Sequence, residues 1–334
     1  MQWYKVLKQS QQRDSQLFLK LLKTTVNKLL QEGKLMPEVQ IEKLLEKGVP
    51  GTAAILKPMI NRLLENKGVT NNSKNIVKIV ATSAYWSYLF ARGLGFKDVP
   101  NIIIERIATN AGWSYEFAKM LHCQDVPIII TEGVAKDAQL SCMLAQLCTN
   151  YLGVKNVPNA IIEGIAKDVF WSYKFAESLG FKNVPTSIIQ KIATDAQLSY
   201  KFAKGLRFKT RNIFIIGAIA TNVGLSYCFA DGLGFKNVPA IIIETIATNV
   251  YWSYRYAEGL NFQKVPEIIV LTIARRAELS YRFAKGLDFQ DVPDSIIRGV
   301  ATDAQWSYEF AKALGFKNVP KIIMDKVKDK HAKV

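Results

Sequence analysis

Histidine is almost missing from this chain, with two in 334 residues. That leaves little room for imidazole metal sites or imidazole acid–base chemistry. Cysteine is scarce too, four in all, which is too few for a disulfide scaffold at this length. A reducing, cytoplasmic location is the simplest expectation. No apolar run approaches the roughly 18 residues of a membrane-spanning helix, so no transmembrane segment is expected. The opening MQWYKVLKQSQQRD is too polar for a secretory signal. Acidic residues are in deficit, 28 against 44 basic, for a net charge of +16. Over half of that excess, +9, falls in residues 1–100. Such a balance suits an acidic protein, a nucleic acid or a lipid surface as partner. It equally suits a merely soluble surface.

What the chain has in abundance is repetition. A unit close to P-x-x-I-I-x-x-I-A-T-[ND]-A-x-W-S-Y-x-F-A-K-x-L-G-F-K-N-V begins at Ser73, Pro100, Pro127, Pro158, Pro185, Asn212, Pro239, Pro266 and Pro293. The spacing is 27 residues, except for 31 between Pro127 and Pro158, where four extra residues fall near Cys148–Tyr151. A truncated tenth unit starts at Pro320.

Each unit reads as two short helices. Pro100 suits a first helical turn, whose N–H groups lack partners anyway. Ile103, Ile104, Ile107 and Ala108 follow at helical spacing and give helix A an apolar stripe. The next break carries Asn or Asp at Asn110, Asp137, Asp168, Asp195, Asn222, Asn249 and Asp303, residues that cap a helix N-terminus. Helix B therefore starts there, with Trp113, Phe117 and Leu121 on one face. Ser recurs beside that face from Ser87 to Ser307. It reads as a small packing residue bonded to its own helix backbone. A Gly just past helix B fits a left-handed C-cap.

Two short helices cannot bury their apolar faces alone, and stacked neighbours can. The predicted fold is all-α: a right-handed α-solenoid of nine 27-residue two-helix repeats over residues 73–334. The units resemble short HEAT-like repeats, and more closely the leucine-rich-variant class, through V-A-T-D-A-Q-W-S-Y-E-F-A at Val300–Ala311. They are also similar to Ala/Tyr-rich repeats of phage and large-virus proteins. The resemblance implies a phage or viral origin and binding to proteins or nucleic acids, and it brings no catalytic motif. Residues 1–72 lack the repeat. Within them, 12–32 are expected to form a basic amphipathic helix, with Leu17, Leu21, Leu22, Leu29 and Leu30 on the apolar side and Lys20, Lys23 and Lys28 supplying charge. The region is expected to be a helical N-terminal cap over the exposed end of the array.

Equivalent positions of stacked repeats form ladders. Lys97, Lys155, Lys182, Lys209, Lys236 and Lys317 recur in the loop after helix B, with Lys264 one position out of register. Such a row could track a phosphate backbone, or simply keep the edge solvated. Arg275 and Arg276 replace the Thr-Asx turn of one unit and are a second candidate anion site. The outer stripe of helix B mixes signs, and that of helix A leans acidic through Glu105, Glu132, Glu163 and Glu244. Trp86, Trp113, Trp171, Trp252 and Trp306, with the Tyr column Tyr88 to Tyr308, read as packing before base stacking.

An enzyme reading has two footholds. Asp168/Trp171 and Asp303/Trp306 match the residue types of HEAT-like DNA glycosylases, although capping already explains the Asp column. Cys123, Cys142 and Cys148 with His122 are of metal-ligand type but lack C-x-x-C spacing, so incidental cysteines are expected. The sequence thus points to a non-enzymatic scaffold without cofactor or small-molecule substrate. A protein is the expected partner, and nucleic acid on the lysine row is the alternative.

Overall fold

The computed structural model describes residues 83–331 together with Val77, Val80 and Ala81. The proposed cap at 1–72 lies outside the described residues, as does most of the first helix A. The described residues are all-helical and contain no strand. They divide into two compact units, with the boundary between Trp171 and Ser172.

In the first unit, α1 (Ala84–Gly93) is a helix B. It is followed by the pairs α2 (Asn101–Ile107) and α3 (Ala111–Met120), then α4 (Ile128–Val134) and α5 (Ala138–Leu152). A 3-10 turn at Val154–Asn156 leads to α6 (Asn159–Ile165). The boundary between the units falls inside α7 (Val169–Ser178). The second unit continues with α8 (Thr186–Ile192) and α9 (Ala196–Gly205), α10 (Ile213–Ile219) and α11 (Val223–Gly232), and α12 (Ala240–Ile246) and α13 (Val250–Gly259). Then come α14 (Glu267–Ile273) and α15 (Ala277–Gly286), α16 (Asp294–Val300) and α17 (Ala304–Ala313), and finally α18 (Lys321–His331). Within each unit, consecutive helices pack as pairs and each pair packs on the next.

Local chemistry sets these boundaries. Pro100 sits at the N-cap of α2 with φ −58°, and its carbonyl accepts from the Ile103 N–H at 2.9 Å. Asn212, where proline is absent, accepts from the N–H groups of Phe214 and Ile215 at 3.1 and 3.3 Å. The Asx column caps the B helices as the spacing requires: Asn110 Oδ1 accepts from Trp113 N–H, Asp195 from Leu198 N–H and Asn222 from Leu225 N–H. The serine column does something different from the expected bond within its own helix. Ser114 Oγ donates across to the Ile107 carbonyl of the preceding helix A at 3.1 Å, and Ser199, Ser226, Ser253, Ser280 and Ser307 repeat the bond seven residues back. Only some, such as Ser114 and Ser141, also reach the carbonyl four residues back. The column therefore ties the two helices of a pair together, fully buried.

The joint between pairs rests on the loop. Helix B ends in a Schellman turn: the Phe96 N–H bonds the Ala91 carbonyl at 2.8 Å, and Phe181, Phe208 and Phe235 repeat this. Both Gly95 and Phe96 are left-handed, with φ 65° and 60°. A left-handed Phe costs roughly 1–2 kcal/mol. Its ring repays that by packing forward. Phe208 meets Phe229 of the next helix B edge-to-face at 5.7 Å, and Phe262 meets Phe283 at 5.3 Å. A Cβ on Gly232 would stand 2.3 Å from the Phe208 ring, so here the ring fills the space that the glycine leaves. Withdrawing about 100 Å² of ring from water contributes about 2.5 kcal/mol.

Helix A and the turn that follows it supply a second tie to the pair before. Lys136 Nζ donates to the Ala108 carbonyl at 2.8 Å, and Thr245 Oγ1 to the Ala220 carbonyl at 2.9 Å. Each satisfies a carbonyl at a helix end that would otherwise lack a partner.

One joint is built differently. Cys123 occupies the loop position filled by Phe96 and Phe181, with the same left-handed backbone (φ 63°). Leu144 takes the place of the Phe that would face it. Cys123 is instead bonded to Cys148 as a disulfide, with Cα atoms 5.4 Å apart. This corrects the expectation of incidental cysteines. The four extra residues of this repeat lengthen its helix B, α5, to 15 residues against 10 in α3, so that Cys148 is still helical. Reducing this bond should weaken the α3–α5 joint by about 3 kcal/mol. Hydrogen exchange with and without a dithiol reductant checks it: amides of α3 and α5 should exchange faster on reduction and those of α11 to α17 should not. Unchanged exchange throughout would show that the bond does not hold the joint.

Candidate functional site

The lysine row is solvent-exposed in both units. Lys97 and Lys155 lie in loops of the first, and Lys182, Lys209, Lys236, Lys264 and Lys317 in loops of the second. Each follows the C-terminus of a helix B and precedes the N-terminus of a helix A. Lys155 differs in lying on the 3-10 turn. Lys264 holds the left-handed position (φ 51°) that Asn237 and Asn318 hold elsewhere. Among the described residues, none of these lysines forms an ion pair.

Arg275 and Arg276 are exposed as well, but they sit at the opposite end of the hairpin, in the turn between α14 and α15. A seven-residue helix A sets the two ends roughly 10 Å apart. The fold therefore does not join the arginines to the lysine row, and the two candidate groups are separate. Arg276 is the N-cap of α15 and makes no capping bond, where Asn249 and Asp303 do. Its positive charge also faces the positive end of the helix dipole.

The outer stripe of helix B is largely self-neutralised. Lys119–Glu116, Lys174–Glu177 and Arg255–Glu258 are i,i+3 ion pairs, and Arg282 turns back to Glu278. The pair Lys201/Lys204 on α9 has no such partner within ion-pair distance. Along helix A, Glu105, Glu132, Glu163 and Glu244 are exposed, as expected. Beside them runs a column that sequence reasoning missed. The second residue after the helix A proline exposes a large apolar side chain at Ile102 and Ile129 in the first unit, and at Phe214, Ile241, Ile268 and Ile322 in the second. Its signal was available in the Ile two residues after the proline, one position before the buried Ile103 and Ile242.

The aromatic ladders interlock. Tyr88 stacks on Trp113, Tyr227 on Trp252 and Tyr281 on Trp306, with centroids 4.9–5.3 Å apart. Burial pushes the Tyr88 and Tyr227 phenols above the usual range, Glu116 adding to the effect at Tyr88. They stay protonated at neutral pH. The Asp168 and Asp303 carboxylates, the residues of glycosylase type, accept from the Trp171 and Trp306 N–H groups as helix caps. The cysteine cluster does not converge as a metal site. Cys123 and Cys148 are consumed by their disulfide, and burial pushes the Cys142 thiol to about 11. His122 stacks on Tyr151. Among the described residues no group of three or more His, Cys, Asp or Glu could hold a metal ion, and no helix is long and apolar enough to cross a membrane.

Comparison of the chain with protein-family models, with curated proteins and with solved structures finds no match.

Arg276→Asn restores the cap used by neighbouring pairs. It should raise stability by about 1 kcal/mol, read as a higher denaturant midpoint. No gain would mean that the arginine already holds a stabilising contact.

Proposed function

We propose that the chain is a right-handed α-solenoid of nine 27-residue repeats, closed at its start by residues 1–72, and that it is a non-enzymatic scaffold for a protein partner. The observation that carries this reading is the apolar column on the outer face of helix A. In the second unit Ile241 and Ile268 are 46% and 43% exposed in consecutive helix pairs, with Leu271 at 49% one turn further along α14. A folded chain keeps such side chains at a recurring surface position at a solubility cost, and apolar columns of this kind mark association sites. Exposed carboxylates border the column at Glu105, Glu132 and Glu244. A partner surface with apolar anchors and flanking Lys or Arg would complement it. The outward charges of helix B, mostly paired within their own helix, suit the back of such a scaffold.

Ile241→Lys with Ile268→Lys tests this. Both sites are half exposed, so the fold should survive, with an unchanged circular dichroism spectrum. A protein retained by the wild-type chain from its native cell extract should be lost to the variant. The same proteins retained by both would remove helix A as the binding face.

A further inference from the structure

One loop gains two arginines over the usual phrase of the repeat. Between α9 and α10 the phrase G-F-K-N-V-P becomes R-F-K-T-R-N. Arg207 stands where Gly180, Gly234 and Gly315 stand in the equivalent turns, and it is held in the same left-handed conformation at φ 53°. Arg211 replaces the Val before the helix A proline. On α9, Lys204 is the lysine also found at Lys119, Lys285 and Lys312, but the residue three before it is the cation Lys201, where Glu116 and Glu309 precede Lys119 and Lys312. On the adjoining α10, Gly217 replaces the exposed glutamate of Glu244.

Lys201, Lys204, Arg207, Lys209 and Arg211 therefore form one exposed group of five cations within eleven residues. None has a carboxylate within ion-pair distance. The helices on either side add Lys182 and Lys236 in their loops. Their acids are Glu177, already paired with Lys174, and Asp231. Like charges three residues apart on a helix repel, and a long side chain in a left-handed turn is disfavoured. Arg282 and Lys285 on α15 are a like pair too, but there Glu278 neutralises Arg282, and in the other loops the left-handed position of Arg207 is held by Gly, His, Asn or Asp.

We infer that this loop and the outer face of α9 bind the phosphate backbone of a nucleic acid. The site goes beyond the protein-binding reading and lies at the loop end of the hairpin. Five unpaired cations on a short arc suit a chain of closely spaced single negative charges. The lysine row contributes here through Lys209, flanked by Lys182 and Lys236, rather than along its whole length.

The test uses the full-length protein and a variant assembled from residues of the neighbouring pairs: Lys204→Glu, Arg207→Gly and Arg211→Val. Each replacement occurs at the equivalent position elsewhere, so the variant should fold at least as well, which thermal unfolding checks. The probes are fluorescent oligonucleotides of roughly 30 nucleotides, single-stranded in one arm and duplex in the other, titrated across a salt series. Wild type should bind at least one arm with an affinity that falls steeply with salt. The variant should bind at least about tenfold more weakly, with the log–log salt slope flattened by about two. Arg275→Thr with Arg276→Asn, at the other end of the hairpin, should leave binding unchanged. Equal binding by wild type and the loop variant would overturn the site, as would no binding of either probe at low salt. An equal loss in the Arg275/Arg276 variant would reduce the effect to bulk charge. Displacement of the probe by polyglutamate as effectively, charge for charge, as by unlabelled oligonucleotide would replace the nucleic acid by an acidic protein.

Discussion

A phenylalanine in a backbone conformation that disfavours it is the contact on which the arrangement of helix pairs depends. Helices A and B of one pair are tied by short-range groups: the proline and Asx caps, and the serine that reaches from B to the end of A. None of these carries one pair onto the next. That is done where helix B stops. The Schellman turn fixes the direction of the chain, and the ring behind it is driven against the following helix B, between that helix's Phe and a glycine that leaves room for it. The conformational cost is met only if the next pair is present to cover the ring. The loop thus couples neighbouring pairs, as expected of a stack whose members are unstable alone.

The disulfide follows from the same constraint. Cys123 keeps the turn and the left-handed backbone but lacks a ring to fill the space, and Leu144 offers no aromatic edge. A covalent bond to Cys148 supplies the contact across the joint that the aromatic pair supplies between α1 and α3. The longer α5 belongs to this solution, since a helix of ordinary length would end before the cysteine.

Much of the fold was legible because it is local. Proline, Asx, Gly and the apolar spacing each act within a few residues, and the 27-residue period repeats the message. The serine bond was misassigned because its acceptor lies on another helix, seven residues back. The loop Phe gave no sign of its backbone, since a bulky left-handed residue runs against intrinsic preference and is set by tertiary packing. The disulfide was hidden by its separation of 25 residues. Aligning Cys123 with the Phe column was the one clue. Of the candidate site, the lysines are exposed as their column implied. Whether Arg275 and Arg276 lie beside them is not legible, because sequence shows charge and not which end of a hairpin bears it. Lys201, Lys204, Arg207 and Arg211 stand out only once the paired charges of the neighbouring helices are seen beside them.

The two proposed surfaces, the outer face of helix A and the loop end of one hairpin, both presuppose that consecutive pairs are held in fixed relation. A double-mutant cycle on Phe208 and Phe229 tests that coupling most directly. Phe208→Leu, Phe229→Leu and the double variant would be compared by equilibrium unfolding. A coupling energy of about 1 kcal/mol is expected for an edge-to-face pair that joins two helix pairs. Additive losses would contradict it, and the loop aromatic would then be a passive filler rather than the contact that sets each pair on the next.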